Sequence, residues 1–399
     1  MAISILLQPT TPNASNTNLV YAVSSSNYTQ PQFQYVIDVY ENGSATRLAR
    51  IKQYPNPEAK GVFDVSSILN DYMDYDFSPA STGSLAYSNA INEFDIKFGE
   101  EYGTSPTSST TIFPDLATDD LRVFQAVVDP NEQSDINPWM SSNPNIYSTG
   151  YNWPDTTGYG LLSNKPTTIP VWEKAFNTMA MYDFTGNSGI MRVTDSDGGI
   201  EAWSITDDIG SVWFRGSVPL VRNIEWLEFQ MDPDGPGATA SKRFPVEQCI
   251  NYELITFCFI NFYGVWDTYT LDVPVNVTTD IERQQYEQIF VNYSDEGRYN
   301  QKRGGTTNYR TNVNDTLSLT TPPLNNEEAA WVQELVESPK VYVLRGNIQT
   351  NVGYEDSDQI KFLPAVITNT NVQQNTNLRG QKLFQYDISF KYSNSRRGR

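Results

Sequence analysis

The side chains that most often carry catalysis are scarce in this sequence. Histidine is absent, which excludes nucleophile systems built on a Ser–His or Cys–His pair and every histidine-ligated metal site. Cysteine occurs only at Cys249 and Cys258. Cys258 lies inside the apolar run 254–260, which favours a buried structural thiol. A disulfide with Cys249 stays open, because sequence spacing alone does not decide it.

Carboxylates are the remaining candidates for chemistry, since the chain has 47 acidic residues. A glycosidase needs one acid and one base or nucleophile at a defined separation, and among so many carboxylates no particular pair stands out. The run Asp-Ser-Asp-Gly-Gly at 195–199 resembles part of a calcium loop. It lacks the third ligand spacing and the distal glutamate, which favours a plain hairpin turn. We therefore predict no enzyme, and no catalytic, cofactor-binding or metal-binding residues.

The charge balance argues against two classes of partner. The 27 basic and 47 acidic residues give a formal net charge of −20, whereas affinity for nucleic acid comes largely from clustered lysine and arginine. An anionic membrane surface is disfavoured for the same reason, and no stretch approaches the roughly 18 apolar residues of a membrane helix. The sequence therefore predicts neither a nucleic-acid partner nor a membrane partner.

Short strands dominate the first third of the chain. A chain of 399 residues predicts two or three domains. Hydrophobic residues alternate with polar ones in 33–40 and in 94–98, which is the period of a half-buried strand. About seven such strands in 18–128, with one helical turn near 66–72, predict an immunoglobulin- or fibronectin-like sandwich.

The rest of the chain is predicted to add further β domains with one or two short helices. Asn325 and the acidic first turn that follows it begin a helix near 326–337, whose apolar stripe includes Trp331 and Leu335. A second helix is expected from Asp280 to about residue 290. The fold class is therefore mainly β and multi-domain, with the following segments: an N-terminal arm, 1–17; the sandwich, 18–128; an ordered loop excursion, 129–170; a β domain, 171–240; and a last β domain, 241–399.

Three motifs, in order along the chain, are distinctive. They are Gly-Val-Phe-Asp-Val-Ser-Ser-Ile-Leu-Asn-Asp-Tyr at 61–72 with 98–102 downstream, Phe-Ile-Asn-Phe-Tyr-Gly-Val-Trp-Asp at 259–267, and 326–342 followed by 363–369 and the alternating terminal strand. Together they resemble tail- and baseplate-type structural proteins of tailed phages, especially those of marine and Bacteroidetes-infecting phages. None of the motifs is a catalytic signature.

This resemblance implies a non-catalytic structural component of a virion, in the tail, baseplate or neck, assembled in the host cytoplasm. It implies as partners other virion proteins and other copies of the chain in a symmetric ring. The apolar segment 3–7 is able to add a strand to a neighbour's sheet edge. We expect this segment and the 129–170 excursion to be buried only in the assembly; the alternative is that both pack on their own chain.

A second hypothesis is a receptor- or carbohydrate-binding virion protein. Trp139, Trp153 and Trp172 would then stack on sugars, although buried or interfacial tryptophan is the commoner explanation. The basic C-terminus, 396–399, is either a solvated end or a segment that docks on an acidic partner.

Overall fold

A computed structural model gives the fold of most of the chain. It describes residues 3–9, 13–73, 83–86, 91–104, 110–112, 118–127, 159–172, 175–183, 189–198, 200–205, 209–215, 224–232, 241–288, 305–345, 362–368, 383–393 and 396–397. Among these residues the chain divides into two compact units. Unit 1 holds the described residues up to Glu247 together with Ile260–Thr268, and unit 2 holds Gln248–Phe259 with the described residues from Tyr269 onward.

The described residues are mostly strands. In chain order the strands are β1 (Ile3–Leu7), β2 (Asn13–Asn16), β3 (Val20–Ser25), β4 (Gln34–Glu41), β5 (Arg47–Gln53), β6 (Lys60–Asp64), β7 (Gly83–Ala86), β8 (Ile91–Tyr102), β9 (Thr110–Ile112), β10 (Thr118–Val127), β11 (Tyr159–Leu161), β12 (Val171–Trp172), β13 (Phe176–Asp183), β14 (Gly189–Asp195), β15 (Ile200–Ile205), β16 (Ile209–Arg215), β17 (Trp226–Asp232), β18 (Ser241–Glu247), β19 (Ile255–Ile260), β20 (Trp266–Leu271), β21 (Asn276–Gln288), β22 (Gly305–Thr320), β23 (Val341–Arg345), β24 (Leu363–Ile367), β25 (Asp387–Tyr392) and β26 (Arg396–Arg397). The helices of the described residues are α1 (Ser66–Asp71) and α2 (Asn326–Glu337). The predicted class, mainly β with several sheets and short helices, is confirmed.

Two sheets of unit 1 share one core at the N-terminal end of the chain. One sheet has the order β1-β3-β6, and the other has the order β2-β10-β8-β4-β5 with β9 on β8. Tyr35, Ile37 and Val39 enter the core from β4, as the alternation in the sequence predicts. Helix α1 adds Leu69 to the same core. Two sheets over one core are compatible with the predicted immunoglobulin- or fibronectin-like sandwich.

The predicted N-terminal arm is part of this sandwich. Strand β1 pairs antiparallel with β3, β2 pairs parallel with β10, and Ile3 is 1% exposed. The expectation that segment 3–7 is buried only in an assembly is therefore wrong. An uncharged apolar segment joins the nearest sheet edge that covers it, and here that edge belongs to its own chain.

Two further sheets of unit 1 cross the predicted segment boundaries. One has the order β11-β13-β16-β7, and so combines strands from the sequence regions 83–86 and 159–161 with strands of the predicted 171–240 domain. The other has the order β12-β18-β17-β14-β15, and its last-numbered strand, β18, lies beyond residue 240. Phe229 and Phe244 pack edge to face in the core of this sheet, with ring centroids 5.7 Å apart.

Unit 2 is built on one sheet with the order β20-β19-β23-β24-β25-β22-β21, in which β26 also pairs with β22. Helix α2 begins at a capping box, in which the Glu328 backbone N–H donates to Asn325 Oδ1 and the Asn325 backbone N–H donates to Glu328 Oε2. Trp331 is 1% exposed, and its ring centroid lies 5.2 Å from that of Tyr269. Leu335 is fully buried. The predicted helix and its core stripe are confirmed.

The helix expected from Asp280 is wrong, because 276–288 form strand β21. Thirteen residues of β21 pair antiparallel with β22, from Asn276 opposite Ser318 to Gln288 opposite Gly305. Helix propensity is a weak preference that tertiary pairing routinely overrides. Among the described residues, no helix is long and apolar enough to cross a membrane.

Candidate functional site

The structure describes three of the cysteine and tryptophan residues singled out in the sequence as functional candidates: Cys249, Cys258 and Trp172. Cys249 is exposed, Cys258 is buried in β19, and no disulfide joins them. Trp172 is half-buried in β12, while Trp139 and Trp153 lie outside the described residues. Within the part of the chain that the structure describes, no three cysteine, aspartate or glutamate side chains are placed to hold a metal ion.

The described part of the calcium-like run, 195–198, forms a turn after β14. Asp195 Oδ1 accepts from the Asp197 backbone N–H at 2.9 Å, and the Gly198 N–H donates to the Asp195 carbonyl at 3.1 Å. Gly198 has a φ of +83°, a conformation that glycine adopts at low cost. The carboxylate therefore orders the turn, as the hairpin interpretation predicts.

Two carboxylates buried in the sandwich have structural partners. Asp38 is 1% exposed, and its two oxygens accept from Nε and Nη2 of Arg50, each at 2.6 Å. Glu100 is buried and accepts from Ser25 Oγ at 2.6 Å and from Asn27 Nδ2 at 2.7 Å. Buried charges are stable only when they are paired and hydrogen-bonded in this way.

A group of polar side chains in unit 1 surrounds the buried Lys165, and we call it the lysine cluster. Its members are Ser163, Lys165, Lys242, Asp267 and Thr268. Ser163 Oγ donates to Asp267 Oδ2 at 2.6 Å and accepts from the Lys165 backbone N–H at 3.1 Å. Lys165 Nζ donates to the Thr268 carbonyl at 3.4 Å, and Lys242 Nζ donates to the Ser163 carbonyl.

Burial lowers the pKa of Lys165 to about 8; the Asp267 carboxylate opposes this shift, and the positive charge of Lys242 adds to it. The Phe244 ring lies 5.4 Å from Lys165 Nζ, so the ammonium group has an aromatic neighbour as well as polar ones.

Sequence reasoning missed the lysine cluster, because Ser163 lies 79 residues from Lys242 and 104 residues from Asp267 along the chain and no local spacing connects them. Ser163, Lys165 and Asp267 are each less than 5% exposed, so a substrate does not reach the Ser163 hydroxyl. The cluster is therefore a set of hydrogen bonds that joins distant segments of unit 1.

The tip of the hairpin formed by β19 and β20 is hydrogen-bonded to the same region. This tip, residues 260–268, belongs to unit 1. Asn261 Nδ2 donates to the Leu162 carbonyl at 2.9 Å, while its Oδ1 accepts from the Tyr263 and Val265 backbone N–H groups. Gly264 has a φ of +78° at this tip, and a Cβ placed there would lie 2.3 Å from the Gln125 carbonyl oxygen. Residues 260–267 of this distinctive sequence are therefore held within unit 1 by Leu162 and by a close approach to Gln125.

Segment 159–170, the described end of the predicted excursion, packs on its own chain. Strand β11 pairs with β13, and Leu162 and Ile169 are buried in unit 1. The expectation of burial only in an assembly is wrong for these residues, because Asn261 and the lysine cluster hold them within unit 1. Residues 129–158 lie outside the described residues.

In unit 2, strands β21 and β22 form a two-stranded ribbon, which we call the ribbon. Residues 276–287 are all exposed, and this stretch includes the apolar side chains Val277 and Ile281, at 55% and 46% exposure. Tyr286 and Tyr309 lie together on the ribbon with ring centroids 6.2 Å apart. On its other side, β22 pairs with β26 at 312–313 and with β25 at 316–320; no other pairing on that side is found among the described residues.

Beside α1, a shallow depression of about 200 Å³ is lined by neutral hydroxyl and amide side chains. These are Ser15, Asn16, Thr17, Asn18, Ser66, Ser67 and Asn70. The lining has no aromatic ring on which a sugar could stack. The C-terminal strand β26 pairs with Asn312 and Val313 of its own chain.

No family model and no curated protein matches this chain. Among solved structures, it is similar to the native conformation of E. coli alpha-2-macroglobulin at 10% identity and a TM-score of 0.20, over 80% of this chain and 22% of that chain. It is also similar to a 1.5-MDa bacterial ice-binding adhesin at 11% identity and a TM-score of 0.18, over 80% of this chain and 91% of that chain. The chain spans less than a quarter of the macroglobulin chain, and at TM-scores this low neither similarity supports a functional inference.

Proposed function

We propose that the protein is a non-catalytic structural component of a phage virion, in the tail, baseplate or neck, where it is held by other virion proteins and other copies in a symmetric ring. The observation that carries the proposal is the ribbon. Beyond the pairings of β22 with β25 and β26, residues 283–288 pair only with 305–311 among the described residues. A two-stranded stretch of this kind is at best marginally stable in water, so the ribbon, exposed along 276–287, is expected to gain a partner.

The buried polar groups support the same proposal. The lysine cluster and the carboxylates of Asp38 and Glu100 are committed to hydrogen bonds that hold the fold. They are not aimed into an open cleft, where a substrate would bind. Saturable turnover of any substrate by the purified protein would contradict this part of the proposal.

The proposal is tested by comparing the free chain with intact particles. Hydroxyl-radical footprinting should label Tyr286 and Tyr309 strongly in the free chain and weakly in particles. Trp331 is the matched control, since it is buried in the chain itself and should resist labelling in both states. Equal labelling of the two tyrosines in both states would show that the ribbon has no virion partner. A reconstruction of the particle would locate the chain within it.

A receptor- or carbohydrate-binding role is the alternative. The observation that favours it is the depression beside α1, whose hydroxyl and amide side chains could hydrogen-bond a sugar although none could stack on one. Glycan-array binding that is lost on Asn70→Asp substitution would support this alternative. An array without a specific ligand leaves the structural role as the better explanation.

A further inference from the structure

Strand β21 is the end strand of its sheet and pairs on one side, with β22, among the described strands. At 13 residues and a rise of about 3.3 Å per residue, its edge is about 43 Å long. Antiparallel pairing on one side satisfies only about half of the backbone N–H and C=O groups of a strand. The others line the outer edge of β21, and the exposure of 276–287 leaves that edge in contact with solvent.

Natural proteins protect such edges with short strands, lysine, proline, a bulge or a cover. Strand β21 contains neither lysine nor proline, and its register shifts only once, between Gln284 and Gln285. The segment 276–284 is therefore a regular, solvent-exposed edge nine residues long by its numbering. That is more than enough for a partner strand, since strands in globular proteins average about five or six residues.

The charge of β21 selects the kind of partner. The strand carries Asp280, Glu282 and Glu287 against Arg283 alone. In an antiparallel pair related by a two-fold axis, each residue near the axis faces its own copy or a near neighbour. An axis at any position from 280 to 283 therefore sets like charges against each other: Asp280 against Asp280 or Glu282, Glu282 against Glu282, or Arg283 against Arg283. At this edge, a second copy would also bring together two acidic strands, each with three carboxylates against one arginine.

We propose that the outer edge of β21 is a strand-addition site for an extended basic segment of another protein. Backbone hydrogen bonds supply the pairing, and the carboxylates of Asp280 and Glu282 select lysine or arginine on the same face of the added strand. Because β21 residues two apart share one face, the matching segment carries its positive charges at alternate positions. The inference builds on the proposed function, in that it names the chemistry of one partner of the ribbon.

The experiment uses the full chain and a synthetic peptide of about 12 residues that alternates threonine with lysine, long enough to cover the edge. A threonine–glutamate peptide of the same length is the matched probe. Hydrogen exchange followed by mass spectrometry should show slower exchange of the 276–288 amides with the lysine peptide and no change with the glutamate peptide. Unchanged exchange at 276–288 with saturating lysine peptide overturns the proposal.

Charge-reversal variants separate strand addition from general attraction to an acidic chain. The double variant D280K/E282K should weaken binding of the lysine peptide by about tenfold or more and gain binding of the glutamate peptide. The control E58K/E225K makes the same change in net charge at exposed positions outside β21 and should bind as the original chain does. If both double variants lose binding of the lysine peptide equally, the attraction is non-specific. If the chain forms concentration-dependent dimers in which the 276–288 amides are protected, the partner is a second copy. Either result overturns the proposal.

These outcomes are distinct from a failure of the proposed function. Footprinting of particles reports whether the chain belongs to a virion, whatever binds β21. The peptide experiment reports only the chemistry of the edge.

Discussion

Replacing Gly264 with alanine should destabilise the hairpin tip more than the same replacement at Gly43 or Gly198 destabilises its own turn. A non-glycine residue in the left-handed region costs about 1–2 kcal/mol, and Gly264 has a φ of +78°. The new Cβ would also lie 2.3 Å from the Gln125 carbonyl oxygen and 2.5 Å from the Gln125 carbonyl carbon. Both atoms belong to the backbone, so no side-chain rotation relieves the contact.

The size of the effect follows from these two contributions. Ordinary contact begins near 3.4 Å, so the tip and strand β10 must separate by about 1 Å, and such overpacking costs about 1–3 kcal/mol. Together with the backbone conformation, Gly264→Ala should cost about 2–5 kcal/mol. Gly198→Ala and Gly43→Ala are the matched controls, because both glycines have positive φ and neither has an atom within 4 Å of the added Cβ.

The assay is hydrogen exchange of the peptide that covers 255–271, since local opening is better defined than one global free energy in a chain with two units. Exchange of the backbone amides at Asn261, Gly264 and Val265 should become faster in Gly264→Ala. In the two controls, the free energy of local opening should fall by only about 1 kcal/mol in the peptide that covers each substituted turn. A Gly264→Ala protein no less stable than Gly198→Ala would refute the close approach to Gln125.

Three further outcomes are expected. Because burial lowers the pKa of Lys165 from 10.5 to about 8, the unfolded chain binds this proton more tightly. The free energy of unfolding should therefore rise by about 3 kcal/mol as the pH rises from 8 to 10.5. In urea titrations at pH 7.5 to 9.5, Lys165→Met should lose this part of the pH dependence, and an unchanged pH dependence would contradict the burial of the lysine. Asn325→Ala removes the capping box and should cost about 1 kcal/mol, whereas Asn326→Ala, at an exposed position, should cost little in the same denaturation experiment. Trp331→Ala should cost about 3–5 kcal/mol in thermal unfolding, and an unchanged melting temperature would contradict its place in the core.

The elements that could be predicted from sequence are those with a strong local signal. The alternation around Tyr35 predicts β4 because one face of the strand packs on the core. Asn325 and Trp331 predict α2 because capping and the apolar stripe both lie within the helix. The run at 195–199 predicts its turn because Asp195 and Gly198 order it locally.

Features decided by distant residues could not be predicted in the same way. The segment around Asp280 is rich in helix-forming residues, yet its pairing with β22 makes it a strand. The placement of Ile3 depends on the edge of β3, which no local pattern reveals. Lys165 is buried because Asp267 and Lys242, about 100 and 77 residues away, surround it.

The split membership of the β19–β20 hairpin has a consequence for protein synthesis. Unit 1 includes residues 260–268, which leave the ribosome after residues 248–259 of unit 2. The first 247 residues therefore emerge without the tip that Leu162 and the lysine cluster bind. At roughly 5–20 residues per second, they wait a second or more for it. A fragment that stops at 247 therefore lacks the hydrogen bonds that Asn261 and Asp267 make to Leu162 and Ser163, and proteolysis should cut its segment 159–170 faster than that of the full chain.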